Sequence, residues 1–458
     1  MCGIFGIYNH PEASNLAYLG LYALQHRGQE SAGIVSSDNR QLHHYRQMGL
    51  VSEVFNKDIL KRLSGKSAIG HVRYSTTGSS ELKNAQPFVV DYYKGTLAIA
   101  HNGNLTNAPL IKSELESRGS LFQSNMDTEV IVHLIARFKE KTFVERTVHA
   151  LKKVEGAYSL LFLTEKEMVA ARDPFGFRPL VLGLLKDSPV VASETCAFDL
   201  IGAKFVREIE PGEILLINEE GIKSFKPFSQ KQLHQCIFEF IYFARPDSRM
   251  LDVELNTARK NMGVELFKEH PANVDIVISV QDSGLPAGLG YANASGIPYD
   301  QGFVRNHYSV RTFIQNKQRT RDIGVYLKLA PLPGTLAGKR VVLVDDSIVR
   351  GTTSKKIIDM IFWAGAREVH MRVSSPPIRF PCFYGIDTSS REELIASTKS
   401  VEEIRLALGA TSLGYLSLEG LFRATTLPAN SFCTACFDGN YPIGVPENLK
   451  REKHILEK

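Results

Sequence analysis

A cysteine stands second in the chain, in Met1-Cys2-Gly3-Ile4-Phe5-Gly6-Ile7, and a strand pattern begins at once behind it. Removal of Met1, which a small second residue permits, would leave Cys2 with a free α-amino group. Such an amine titrates at about 7.7 to 8.0, close enough to neutrality to act as general base toward its own thiol. One residue would then provide both nucleophile and base. Taken alone, a second-position cysteine is only a small residue near a chain end, so its company matters. Gln25-His26-Arg27-Gly28-Gln29-Glu30-Ser31-Ala32-Gly33 is a polar cluster after a short helical stretch, and Gly70-His71-Val72-Arg73-Tyr74-Ser75-Thr76-Thr77-Gly78 is another at the end of a strand. Both could offer a guanidinium to a carboxylate, which the planar fork of Arg suits. In Leu97-Ala98-Ile99-Ala100-His101-Asn102-Gly103-Asn104 a buried strand is expected to end abruptly in polar residues. An Asn amide beside a Gly N–H can form an oxyanion hole; the competing reading is an ordinary Asn-Gly hairpin turn. Asp127 precedes a helical face of Val130, Ile131, Leu134, Ile135 and Phe138. It is expected to cap that helix and still turn an oxygen toward a substrate amine.

A second kind of chemistry is written in Val341-Val-Leu-Val-Asp-Asp-Ser-Ile-Val-Arg-Gly-Thr-Thr353. Four apolar β-formers predict a strand buried on both faces of a parallel sheet. Ile357, Ile358, Ile361 and Phe362 predict the helix that follows, and Gly365 is placed to stop it. Between them the backbone N–H groups of 347–353 could converge on a phosphate at the helix N-terminus. Asp345 and Asp346 cannot bind that phosphate; they could accept from sugar hydroxyls or hold a hard cation such as magnesium. A merely capping pair is the bland alternative, although one residue suffices for a cap. The remaining thiols suggest a third feature. Cys433-Thr-Ala-Cys436 is a C-x-x-C pair, and Cys236 and Cys382 stand far away in sequence. Four thiolates could hold zinc or an iron–sulfur cluster, and spacing does not separate the two. Cys196 has no partner and reads as a buried thiol.

The elements that must position these groups divide into two patterns. Length and a 43% hydrophobic content suit two domains with substantial cores. Nothing approaches the apolar length of a membrane span, and no signal segment is evident, so a cytoplasmic protein with no membrane partner is expected. Six cysteines are too few and scattered for a disulfide scaffold. The net charge of +5 is concentrated between positions 305 and 340, where eight Lys or Arg face the single acid Asp322. That favours a polyanionic small molecule over nucleic acid. From about 231 short apolar strands alternate with helices, as in a doubly wound α/β sheet. There 274–280 reads as a strand, with Gln281-Asp282-Ser283-Gly284 as a second anion loop before a small-residue helix. No Walker A or G-x-G-x-x-G pattern occurs.

Residues 2–230, including Gly156-Ala157-Tyr158-Ser159 and Arg172-Asp173-Pro174-Phe175-Gly176-Phe177-Arg178-Pro179, resemble the glutaminase domain of class II amidotransferases, N-terminal nucleophile hydrolases with an αββα sandwich. Residues 231–458, with the Asp345-Asp346 loop, resemble a type I phosphoribosyltransferase, a doubly wound parallel sheet. The whole chain resembles the glutamine phosphoribosylpyrophosphate amidotransferases. That resemblance implies attack by Cys2 on the glutamine amide, an oxyanion held by Asn102 and Gly103, and glutamine bound by Arg73 and Asp127. It implies one magnesium ion per subunit at Ser283, Asp345 and Asp346. Phosphoribosyl pyrophosphate would lie against Arg305, Asp345, Asp346, Ser347, Val349, Arg350, Gly351, Thr352 and Thr353, beneath a basic lid. Ammonia from Cys2 would displace pyrophosphate to give 5-phosphoribosylamine, the first step of purine synthesis. The contexts of Cys236, Cys382, Cys433 and Cys436 resemble the branch holding one 4Fe-4S cluster per subunit. A homotetramer inhibited by purine nucleotides is implied as well, with removal of Met1 as the processing step. Arg305, His307, Gln281 and Asn316 depart from the family's usual residues and bear on pyrophosphate binding. The alternative is a catalytically weak sensor of the same sugar phosphate.

Overall fold

The strand pattern that opens at Gly3 becomes the centre of a seven-stranded antiparallel sheet. Its order is Lys204–Glu208, Val181–Leu185, Ser188–Ala192, Gly3–Ile7, Ser67–Arg73, Ser31–Ser37, Leu42–Met48. A six-stranded antiparallel sheet runs Gly221–Phe225, Ile214–Asn218, Met168–Arg172, Gly156–Leu163, Gly95–Leu105, Phe88–Tyr92. The computed structural model describes residues 1–74, 79–305, 329–388 and 390–445. The two sheets meet face to face through Ile4, Val35 and Ile69 on one side and Ala98, Ala100, Leu161 and Leu215 on the other. Ala13–Ala23 and Cys196–Ile201 cover the outer face of the first sheet. Ala108–Ser117, Glu129–Arg137 and Phe143–Leu151 cover the second, completing an αββα sandwich. Strands enclosed on both faces must be apolar or small throughout, and Gly3–Ile7 and Gly156–Leu163 are buried at every residue. Each large aliphatic side chain removed from water this way contributes about 1.5–3 kcal/mol.

From Gln235 onward the chain builds a four-stranded parallel sheet, Ile276–Ser279, Arg340–Asp345, Glu368–Val373, Ser412–Tyr415. Leu255–Glu269, Leu285–Ser295 and Leu418–Thr425 pack on one face, Thr352–Trp363 and Val401–Leu408 on the other. Ile357, Ile358 and Ile361 face the core as the spacing predicts, and Gly365 leaves the helix at a φ of +94°, a conformation that favours glycine. The cluster beneath the first face also takes in Met1, Ala157 and Phe177 of the sandwich, so the two halves share one apolar core. Of the basic segment, Arg305 ends the strand Phe303–Arg305. His307, Asn316 and the expected lid lie outside the described residues.

Asn102 and Gly103 do not end their strand or turn a hairpin. The strand Gly95–Leu105 runs straight through them, with Asn102 opposite Ser159 and Gly103 opposite Tyr158. Pairing with a segment some fifty residues away in sequence overrides the local turn signal.

Candidate active sites

Cys2 is buried at the head of the central strand. Its backbone N–H donates to Asn102 Oδ1 at 3.3 Å, and its Sγ–H to the Tyr74 carbonyl at 3.5 Å. A backbone N–H can only donate, so this contact fixes which end of the Asn102 amide is oxygen. The other end, Nδ2, is buried with no partner among the described residues. An unpaired buried donor costs about 1–3 kcal/mol, and one beside a thiol could hold a substrate oxygen. The strand supplies a second donor. Phe88–Tyr92 pairs only as far as Ile99, leaving one edge of 100–105 open. On that edge His101 N donates to Gln86 Oε1 at 2.7 Å and Leu105 N to Asp127 Oδ2 at 2.8 Å. By two-residue alternation the Gly103 N–H faces the same edge between them.

Arg73 ends its strand with a buried guanidinium, 3.6 Å from Glu30 Oε2 and donating to Ser79 O at 3.0 Å, within electrostatic range of the Cys2 thiol. Asp127 does not cap the helix Glu129–Arg137. The Leu105 N–H on the open strand edge takes its carboxylate instead, and His101 Nδ1 lies 3.6 Å from its other oxygen. Burial pushes Asp127 upward, but His101 and the hydrogen bonds outweigh it, so it stays below the usual carboxylate range. Burial raises the Cys2 thiol, which therefore needs a base. Met1 blocks that base: its own amine is buried beside Arg27, Arg178 and Glu239. Burial first, then the two guanidiniums, lowers that amine to about 5.

The expectation that Arg27 could reach a substrate carboxylate is not met. Its side chain is fully buried, with Nη1 and Nη2 on Glu239 at 3.0 and 2.8 Å, Nη1 also on Glu194 at 2.5 Å, and Nε on the Cys2 carbonyl at 2.9 Å. Glu239 is shared with Arg178, 3.4 Å away, and Glu194 also receives His26, the Arg245 N–H and Ser248 Oγ. These charges leave water only because they neutralise one another. Glu239→Ala would leave Arg27 with Glu194 alone and take from Arg178 its carboxylate partner, and is expected to lower stability by about 3–5 kcal/mol, read as an earlier urea midpoint. Glu194 and Glu239 were not identified from sequence. A lone carboxylate in the apolar run Cys-Ile-Phe-Glu-Phe-Ile-Tyr-Phe ending at Phe243 was the available signal.

His71 lies under the site. It donates from Nε2 to the His101 carbonyl at 3.1 Å, and burial lowers its pKa from 6.5 to about 3. The unfolded chain takes this proton first, so the stability His71 contributes is complete above 6.5 and is lost as pH falls toward 3. Acid denaturation across that window is expected to be shallower in His71→Gln, by up to about 1.4 kcal/mol per pH unit.

In the second half Ser283 Oγ donates to Asp345 Oδ1 at 3.2 Å, and the Asp346 N–H to the same oxygen at 2.9 Å. Ser347 Oγ donates to Asp346 Oδ2 at 2.5 Å. Burial raises both aspartates, and their mutual repulsion adds to it for Asp345. Gly351, at φ +77°, opens the helix Thr352–Trp363, with Thr352 and Thr353 exposed at its first turn. Val349 supplies a carbonyl to Ile395 N at 3.0 Å, and Arg350 turns outward to Glu393 at 2.8 Å. Arg305 pairs with Asp282 in a cleft of about 390 Å³ that also holds Ser283, Arg259, Tyr242 and His26. Burial raises the Tyr242 hydroxyl, and Asp346, Asp345 and Tyr74, all within electrostatic range, add to it.

Cys236 and Cys433 are opposite one another in a parallel pair, and Cys382 and Cys436 lie within electrostatic range of them. All four thiols are buried, and burial pushes Cys236 to about 11 and Cys433 and Cys436 well upward. Among the described residues no three His, Cys, Asp or Glu close round one metal ion. Cys196 is a buried thiol, as expected.

The sandwich, the cysteine behind Met1 and its donor pair define a glutamine amidotransferase of the terminal-cysteine class, joined to a phosphoribosyltransferase sheet. A family model for a glutamine amidotransferase domain matches residues 71–199. The chain is 50% identical over 449 residues to the amidophosphoribosyltransferase of Bacillus subtilis (strain 168), spanning 97% of this chain and 94% of that protein. It belongs to the amidophosphoribosyltransferase family of enzymes. Amidophosphoribosyltransferase 1, chloroplastic, of Arabidopsis thaliana is 52% identical over 444 residues, 96% of this chain and 78% of that one. The solved glutamine phosphoribosylpyrophosphate amidotransferase of B. subtilis, complexed with ADP and GMP, superposes with a TM-score of 0.93 at 49% identity over 98% of each chain. No helix among the described residues is long and apolar enough to cross a membrane.

Proposed function

We propose that this chain makes 5-phosphoribosylamine from glutamine and 5-phosphoribosyl 1-pyrophosphate, the entry step of purine synthesis, in the cytoplasm. The observation that carries the glutaminase half is the Asn102 amide, whose oxygen is taken by Cys2 while its buried nitrogen is left for a substrate oxygen. With Met1 gone, the Cys2 amine would lie near Arg27 and Arg178, which favour its neutral form, and it would take the thiol proton. Arg73 and Asp127 hold the substrate's carboxylate and ammonium ends. Asn102 Nδ2 and the Gly103 N–H stabilise the oxygen as sulfur adds. Asn102→Ala is therefore expected to cut glutamine-dependent turnover by about 10²–10³-fold and to leave ammonia-dependent turnover in place. Equal loss of both would refute the assignment.

In the acceptor half, the loop 347–353 seats the 5-phosphate, Asp345 and Asp346 orient the ribose, and Arg305 leaves Asp282 for the pyrophosphate. The two raised carboxyls fit a magnesium ion together with Ser283; when bound it neutralises the leaving pyrophosphate. Cys236, Cys382, Cys433 and Cys436, four buried thiols drawn from three separate segments, would hold a 4Fe-4S cluster, in line with contexts that resemble the cluster-holding branch of the family. Bound there, the cluster would tie the segments around 236, 382 and 433 together. Protein purified without oxygen is expected to carry iron and sulfide in equal amounts; zinc without iron would refute it. The B. subtilis structure with ADP and GMP supports inhibition by purine nucleotides. A homotetramer and a domain boundary near residue 230 complete the proposal.

A further inference from the structure

The geometry points to residues 383–385, in the phosphoribosyltransferase half, as a brace that positions the oxyanion hole of the glutaminase half; this rests on the function proposed above. The hole stands on a strand that has lost its neighbour. Beyond Ile99 the edge carrying the Gly103 N–H has no strand beside it among the described residues, so strand pairing on that side does not fix the donor's place. Three consecutive residues from the other half supply what is missing. The Phe383 carbonyl accepts from Asn104 Nδ2 at 2.9 Å, directly after the donor pair. The Tyr384 carbonyl accepts from Arg178 Nε at 2.8 Å and from a second N–H of the same guanidinium, while its ring stacks on Phe177 at 4.4 Å. Gly385 has a φ of +102°, and a Cβ there would lie 3.0–3.1 Å from the Gly103 C, Cα and O atoms. The brace backbone thus rests directly on the backbone of the oxyanion donor. Phe383 and Tyr384 are 4% and 2% exposed, so the contact is dry and stiff.

A brace of this kind acts through Gly103 and touches no reacting atom, so Asn104 and Gly385 are positioning residues. Their loss is expected to lower the rate of glutamine cleavage without weakening glutamine binding, which Arg73 and Asp127 provide. Small misplacements of a catalytic donor can cost up to about a hundredfold in rate.

The test uses the full-length enzyme with Asn104→Ala, which removes one clamp and adds no bulk, and Gly385→Ala, which adds both bulk and backbone strain. For each, kcat and KM for glutamine hydrolysis are measured beside ammonia-dependent pyrophosphate release. The brace predicts about a tenfold fall in glutamine kcat for Asn104→Ala and a larger one for Gly385→Ala, with glutamine KM and ammonia-dependent rate within about twofold of the parent. An unchanged glutamine kcat in Asn104→Ala would overturn it, as would a rise in KM alone or an equal fall in both activities. Absence of glutamine hydrolysis in the parent enzyme would instead strike at the function itself, so the two failures are distinguishable.

Discussion

Cys2→Ala is expected to abolish glutamine-dependent synthesis, by about four orders of magnitude or more, while pyrophosphate release driven by added ammonia continues at the parental rate. The size of the effect follows from the site's economy. Cys2 would contribute both nucleophile and base, so one substitution removes both. The survival of ammonia-dependent turnover follows from the separation of the sites, because the Asp345-Asp346 loop takes no part in opening the glutamine amide. Assays of glutamate and pyrophosphate on the same preparation would check both halves. Equal loss of the two activities would show that Cys2 supports the structure rather than the chemistry.

The reciprocal variant carries the second large effect. Asp345→Asn combined with Asp346→Asn keeps the shape of the loop and removes its charge. It is expected to reduce pyrophosphate release by about three orders of magnitude, whichever nitrogen donor is supplied. Glutamine hydrolysis should persist in this double variant. Burial raises both carboxyls, and each amide has the same shape without the charge, so the fold should be retained; thermal unfolding at or above the parental midpoint would check this. A fall in hydrolysis matching the fall in pyrophosphate release would mean that the pair holds the two halves together instead.

What sequence could say about these sites depended on how local each one is. The acceptor loop was legible because strand, anion loop and helix follow one another within twenty-five residues, each with its own periodicity. Cys2, Asn102 and Gly103 were legible as residue types, but the strand through Asn102 was not. Its pairing with Gly156–Leu163 is decided by a distant segment, and the local Asn-Gly signal pointed to a turn. Asp127 shows the same conflict. A helix followed it as expected, yet the open strand edge offered the Leu105 N–H, and that bond replaced the cap. Arg27 was misread for a related reason. A guanidinium near a nucleophile suggests a substrate carboxylate until its partners are known, and Glu194 and Glu239 lie 167 and 212 residues away in the chain. The joint between the halves, with Glu239 shared by two arginines and Gly385 against Gly103, has no local periodicity from which it could be read.

The proposed function requires that ammonia formed at Cys2 be the nitrogen delivered to the sugar at the Asp345-Asp346 loop. Its most direct test supplies glutamine labelled with ¹⁵N in the side-chain amide, together with an excess of unlabelled ammonium, and measures the isotope in the amine formed as pyrophosphate is released. Product labelled almost entirely from glutamine while both sources are present is the expected result. Product carrying the isotope ratio of the bulk ammonia would contradict it.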